Sequence, residues 1–218
     1  MEPEFWLERW QSRQIGFHQS GIHPFLERWW PSLGVPTDAR VYVPLCGKSL
    51  DMVWLAVRGH AVAGTELVGL AIQEFFGEQD ATAAATRHGP FLRHAAGAFE
   101  IFEGDALAMT PELLGPVQAA YDRAALVALP PAMRAQYADS FARLMPSGAR
   151  VLLVAFEYPQ HMKSGPPFSV EPNEVLALYG RQFDVRELER VDLIGSSPKF
   201  AEAGISTLHE VAYSLQRR

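Results

Sequence analysis

The chain has 218 residues, 48% of them apolar and 20% charged, which is enough for one domain with a substantial core and sits within the usual range of one α/β layer architecture. Its net charge of −6 comes with no basic block, so the concentrated positive face that phosphate binding needs is missing and nucleic acid is disfavoured as a partner. A single cysteine, Cys46, excludes an intrachain disulfide framework and a thiolate metal site, and no apolar run approaches a membrane span. The acidic start Met1-Glu2-Pro3-Glu4 lacks the basic and apolar regions of a secretory signal, so a cytoplasmic location and a small-molecule substrate are expected.

Residues 1–39 concentrate aromatics (Phe5, Trp6, Trp10, Phe17, Trp29, Trp30) and are expected to fold across the sheet edge as a cap on a single domain whose α/β core spans 40–218. Short β-branched runs then alternate with helical patterns, the mark of βαβ units. The first strand is predicted over Arg40 to Leu45. A helix from Ser49 to Arg58 follows, with Ser49 or Asp51 as its cap and Gly59 as its stop. A strand from His60 to Glu66 precedes a helix over Val68 to Gln79.

Further strands are predicted at Phe99 to Glu103, Ala119 to Asp122 and Arg150 to Phe156, with a helix over Pro131 to Met145. Tyr158 to Pro172, rich in Pro, Gly and Ser, reads as an irregular wall or lid of the site. A short helix near Pro172 to Tyr179 and two strands, Phe183 to Val191 and His209 to Gln216, complete the chain, the strands as an antiparallel pair.

In such sheets ligands bind beyond the carboxyl ends of the strands, where strand order reverses. The first such loop, Pro44-Leu45-Cys46-Gly47-Lys48-Ser49, has one glycine where a dinucleotide fingerprint has three, and it is not a Walker loop. A pyrophosphate is therefore disfavoured, whereas S-adenosylmethionine, which has no phosphate, tolerates a bulkier turn. Glu66 ends the second strand about twenty residues on, the spacing at which a carboxylate accepts from a ribose diol; the alternative is a carboxylate facing water. Asp105, in Gly104-Asp105-Ala106, either reaches an adenine amino group or caps a helix. Arg123 either points toward cofactor and substrate or pairs with Asp122. His18, His23, His88 and His94 fall in loops or near helix ends without zinc-site spacing, no metal is expected, and no serine sits in a nucleophile elbow.

These residues carry a resemblance. Trp6-Leu7-Glu8-Arg9-Trp10, Gly16-Phe17-His18-Gln19, Pro44-Leu45-Cys46-Gly47-Lys48, Arg58-Gly59-His60, Gly64-Thr65-Glu66, Ile72-Gln73-Glu74-Phe75-Phe76, Asp122-Arg123-Ala124-Ala125-Leu126 and Gly165-Pro166-Pro167-Phe168 resemble the thiopurine S-methyltransferase family, bacterial type, almost end to end. The resemblance implies a class I S-adenosylmethionine-dependent methyltransferase fold: a Rossmann-like, mostly parallel seven-stranded sheet with helices on both faces and an antiparallel last strand. It implies methyl transfer to a thiopurine or aromatic thiol; a monomer is expected. Trp10, Leu45, Glu66 and Arg123 match cofactor-contacting positions and Phe17 an aromatic near both ligands, with Asp105 and Ala106 as further cofactor candidates and Arg123 as the residue positioning the thiolate. Thr82 to Ala98 departs from the eukaryotic pattern, being short and rich in Ala and Gly. Alternatives are selenium, tellurium, halide or small-thiol acceptors, or a non-catalytic S-adenosylmethionine-binding module; an NAD-dependent oxidoreductase is weakened by the missing glycines.

Overall fold

A computed structural model describes residues 3–218. Nine strands form one sheet: β1 Arg40–Val43, β2 Ala61–Glu66, β3 Ala84–His88, β4 Phe91–Ala96, β5 Phe99–Glu103, β6 Ala119–Arg123, β7 Arg150–Glu157, β8 Phe183–Asp192 and β9 His209–Arg217, in the order β3-β4-β5-β2-β1-β6-β7-β9-β8. The helices are α1 Pro3–Gln11, α2 Pro24–Trp29, α3 Leu50–Val57, α4 Gly69–Glu78, α5 Pro111–Leu114, α6 Pro131–Leu144, α7 Pro172–Tyr179 and α8 Pro198–Glu202. Among the described residues no helix is long and apolar enough to cross a membrane.

β1, β2, β5, β6 and β7 run parallel, while β9 is antiparallel to β7 and to β8. Near-continuous Val, Ala and Tyr in β1 and β6 suit strands buried on both faces. Successive residues serve opposite layers: Val41, Val43, Tyr121 and Val154 pack with Phe25, Trp30, Met52, Leu55 and Phe75, whereas Tyr42, Ala120 and Leu153 pack with Tyr137, Phe141, Val175 and Tyr179. Thus α2, α3 and α4 cover one face, and α6 and α7 the other.

Nine strands replace the seven expected. The two additions are β3 and β4, an antiparallel hairpin that extends the β5 edge through pairs such as Ala95 with Glu100. It occupies the segment read as merely short and rich in Ala and Gly. All but the last residue of β3 are exposed, so the strand carries no apolar alternation to betray it. His88 and His94 consequently lie in strands rather than loops, and His94 Nε2 bonds Glu103 at 2.7 Å.

The N-terminal aromatic segment also divides differently from the expectation of an edge cap. Phe25, Leu26 and Trp30 belong to the core beneath one sheet face, and Trp6, Trp10 and Phe17 form a separate cluster with Val68 and Ala71 over the strand ends. Ser49, not Asp51, caps α3: its hydroxyl accepts the Asp51 N–H, leaving the Asp51 side chain for the site.

Candidate active site

From β1 the chain steps outward to β2 and β5, then returns to β6 on the other side of β1, which creates a switch point between β1 and β6. A cavity of about 860 Å³ runs along this rim, lined by Leu45, Gly47, Glu66, Asp105, Arg123 and Phe156 among others. Every site residue expected from the sequence lines it: Trp10, Phe17, Leu45, Glu66, Asp105, Ala106 and Arg123.

Backbone strain concentrates on this rim. Of the four non-glycine residues with positive φ among the described residues, three line the cavity: Arg13 (58°), Leu45 (47°) and Ala124 (66°). Each left-handed residue costs about 1–2 kcal/mol, a cost tolerated where the turn shapes a site. Gly47 has φ +52°, and a Cβ there would stand 3.3 Å from the Trp10 ring. The aromatic cluster therefore closes directly onto the β1 loop, with Trp10 and Phe17 packed edge to face, centroids 5.8 Å apart.

Amides at the head of the loop already have protein partners. Gly47 N–H donates to Glu66 Oε2 at 2.8 Å, and Cys46 N–H to the Thr65 carbonyl at 2.9 Å. Nearby cations are also matched: Lys48 Nζ pairs with Glu74 (2.9 Å) and Glu78, and Arg13 pairs with Glu74. With these amides and both cations engaged, the loop is poorly set up to cradle a pyrophosphate and suits a nucleoside without one.

Glu66 is only 8% exposed, and burial pushes its carboxyl pKa up, opposed by the N–H groups of Val68 and Gly47. With Val68 N–H on Oε1 at 2.9 Å and Gly47 N–H on Oε2, each oxygen retains a lone pair for a diol. A buried carboxylate fixed in this way fits the ribose of S-adenosylmethionine. Asp105 does cap: its Oδ1 accepts the Leu107 N–H at 2.9 Å while the exposed side chain borders the cavity.

Arg123 does not pair with Asp122. Its Nη2 meets Asp51 Oδ2 at 3.1 Å and its Nη1 donates to the Phe17 carbonyl at 2.8 Å, tying the cap to the end of β6. Asp51, fully buried, also accepts from Tyr121 Oη and from the His23 N–H. Asp122, one residue before Arg123, points to the opposite layer and accepts from Tyr137 Oη at 2.7 Å; burial lifts its pKa to about 6.

Sequence reasoning missed Asp51, His23 and Glu210 as members of this network. Glu210 stands near the amino end of β9, which reaches the rim because that strand is antiparallel. A charged residue beside the apolar Val211-Ala212 was the available signal.

The thiopurine S-methyltransferase family model matches residues 1–218. The chain belongs to the thiopurine S-methyltransferase family. It is 46% identical over 216 residues to the Pseudomonas fluorescens (strain Pf0-1) thiopurine S-methyltransferase, covering 99% of each chain, and 47% identical over 219 residues to that of Xanthomonas campestris pv. campestris (strain 8004), covering 100% of each. Membership fixes the enzyme class and cofactor: a methyltransferase dependent on S-adenosylmethionine. The fold is shared with a Thiobacillus denitrificans S-adenosylmethionine-dependent methyltransferase solved with S-adenosyl-L-homocysteine (TM-score 0.64, 14% identity, 100% of this chain and 99% of that one). It is also shared with the Burkholderia thailandensis 1,6-didemethyltoxoflavin-N1-methyltransferase solved with 1,6-didemethyltoxoflavin and S-adenosylhomocysteine (TM-score 0.64, 15% identity, 99% and 86%).

Proposed function

We propose that this family member methylates the sulfur of thiopurines and aromatic thiols, with the cofactor along the β1–β2–β5 rim and the acceptor toward β6, β7 and β9. The observation that carries the reading is Glu66, a buried carboxylate with both oxygens steadied by backbone N–H groups, beside a loop whose Cys46 and Gly47 amides are already engaged. When bound, S-adenosylmethionine supplies the sulfonium methyl group that an acceptor sulfur displaces in line, one S–C bond forming as the other breaks.

The protein's own residues hold and orient. Glu66 accepts from the ribose hydroxyls, Asp105 and Ala106 border the adenine, and Leu45 shapes the floor of the turn. Trp10 and Phe17 cover the strand ends and exclude water. Positioning of this kind is the largest contribution a site without a strong base can make, and thiopurine thiols ionise near neutral pH without one. Arg123 faces the same space, and its guanidinium favours the anionic sulfur even though Asp51 balances part of its charge.

Residues 1–39 and 40–218 act as one domain, a cytoplasmic monomer that takes small molecules rather than nucleic acid; the scattered basic residues support this. A second reading, methylation of selenium or tellurium oxyanions, is favoured by Lys163 and Lys199 on the outer cavity wall. The test is methyl transfer from labelled cofactor to 6-mercaptopurine, thiophenols and selenium salts. Turnover of the thiols supports the assignment, preference for the salts favours the second reading, and no transfer to any acceptor overturns both.

A further inference from the structure

Glu66 and Glu210 stand at opposite ends of the crevice. From β2 to β9 the sheet crosses four strand spacings, about 19 Å. The three carboxylates of the cavity wall are thus divided, Glu66 and Asp105 at the nucleoside end and Glu210 at the other. Glu210 is in register with Phe156, whose ring lines the same wall, so a polar acceptor atom sits beside an apolar surface suited to a flat ring.

Glu210 is fixed in place. The Phe25 N–H donates to His23 Nδ1 at 3.2 Å, which leaves the ring proton on Nε2, and Nε2 donates to Glu210 Oε1 at 3.0 Å. The two side chains are 1% and 10% exposed. Through its backbone N–H, His23 also donates to Asp51, the partner of Arg123, so one network orients both charged residues at this end. Glu210 Oε2 has no hydrogen-bond partner among the described residues.

A carboxylate beside a thiol disfavours the thiolate, so Glu210 does not suit the reacting sulfur. It suits a donor on the acceptor ring. We propose that Glu210, aimed by His23, accepts a hydrogen bond from a ring N–H of the methyl acceptor and thereby selects nitrogen-heterocyclic thiols over simple thiophenols. Sites built to pair a polar group reject analogues that lack it, because the buried partner is left unmatched. The inference rests on the sulfur-methyltransferase reading above.

Glu210→Gln keeps the side-chain shape and an oxygen for His23 while turning the second position from acceptor to donor. The expected result is a tenfold or greater rise in KM for 6-mercaptopurine, with KM for thiophenol and the Kd of S-adenosylhomocysteine within twofold of wild type. Equal changes for both acceptors, or none for either, would overturn the assignment. Should the variant lose S-adenosylhomocysteine binding, the wild-type protein decides: 6-mercaptopurine methylated at each ring nitrogen in turn should show at least one tenfold rise in KM, and no rise contradicts the proposal. Wild-type protein that turns over neither thiol class defeats the underlying reading instead, so the two failures are distinguishable.

Discussion

The two ends of the crevice are built in different ways. At the Glu66 end, proposed to hold the nucleoside, the contacts are short in sequence: Glu66 holds Val68 two residues away and Gly47 nineteen away. At the acceptor end they are long: Arg123 reaches Phe17 across 106 residues, and His23 reaches Glu210 across 187. A loop and the carboxylate that ends the next strand are set by one βαβ unit, so the Glu66 contacts of the first end lie within that unit. The second exists only once the cap, β6 and the antiparallel β9 have all assembled.

Removing the long-range hub should have the largest effect. Asp51→Ala leaves the Arg123 guanidinium without its buried carboxylate and should cost about 3–5 kcal/mol of stability in urea unfolding. A loss below about 1 kcal/mol would mean that the acceptor end is not held by this network.

Asp122 tests whether the neighbour of Arg123 belongs to the site at all. Its pKa is raised to about 6 in the folded protein, so its contribution is fully present below the unfolded value near 3.8 and is lost as pH rises through 6. Two units correspond to about 3 kcal/mol. The stability difference between wild type and Asp122→Asn should therefore change by about that much between pH 4 and pH 7, with methyl transfer retained. A variant that keeps the wild-type pH dependence, or loses activity while folded, would break the separation of the two sheet faces.

The smallest effect belongs to Asp105, exposed and occupied in part as a cap. Asp105→Ala should weaken S-adenosylhomocysteine by about 0.5–1.5 kcal/mol, read by calorimetry. Unchanged affinity would assign the residue to capping alone.

The same contrast explains what could be read from the sequence. Strands such as Phe99–Glu103 and the helix Pro172–Tyr179 follow from periodicity and flanking turn residues, and Glu66 from spacing to the Gly47 loop. The β3–β4 hairpin was illegible because its outer strand is exposed and buries no alternating face. Asp51 resembled an ordinary helix cap until Ser49 took that role. His23 and Glu210 carry no shared local pattern, and only the antiparallel entry of β9 brings them together. Topology rules that inspect carboxyl ends of parallel strands pass over an amino-terminal residue on such a strand.

The central claim is that Glu66 anchors the nucleoside of the cofactor. Calorimetric titration of S-adenosylhomocysteine into wild type and Glu66→Gln tests it most directly. Wild type should bind one molecule per chain and the variant about 10- to 100-fold more weakly, the range for a hydrogen bond to a charged group. Equal affinity in the two proteins would contradict the account.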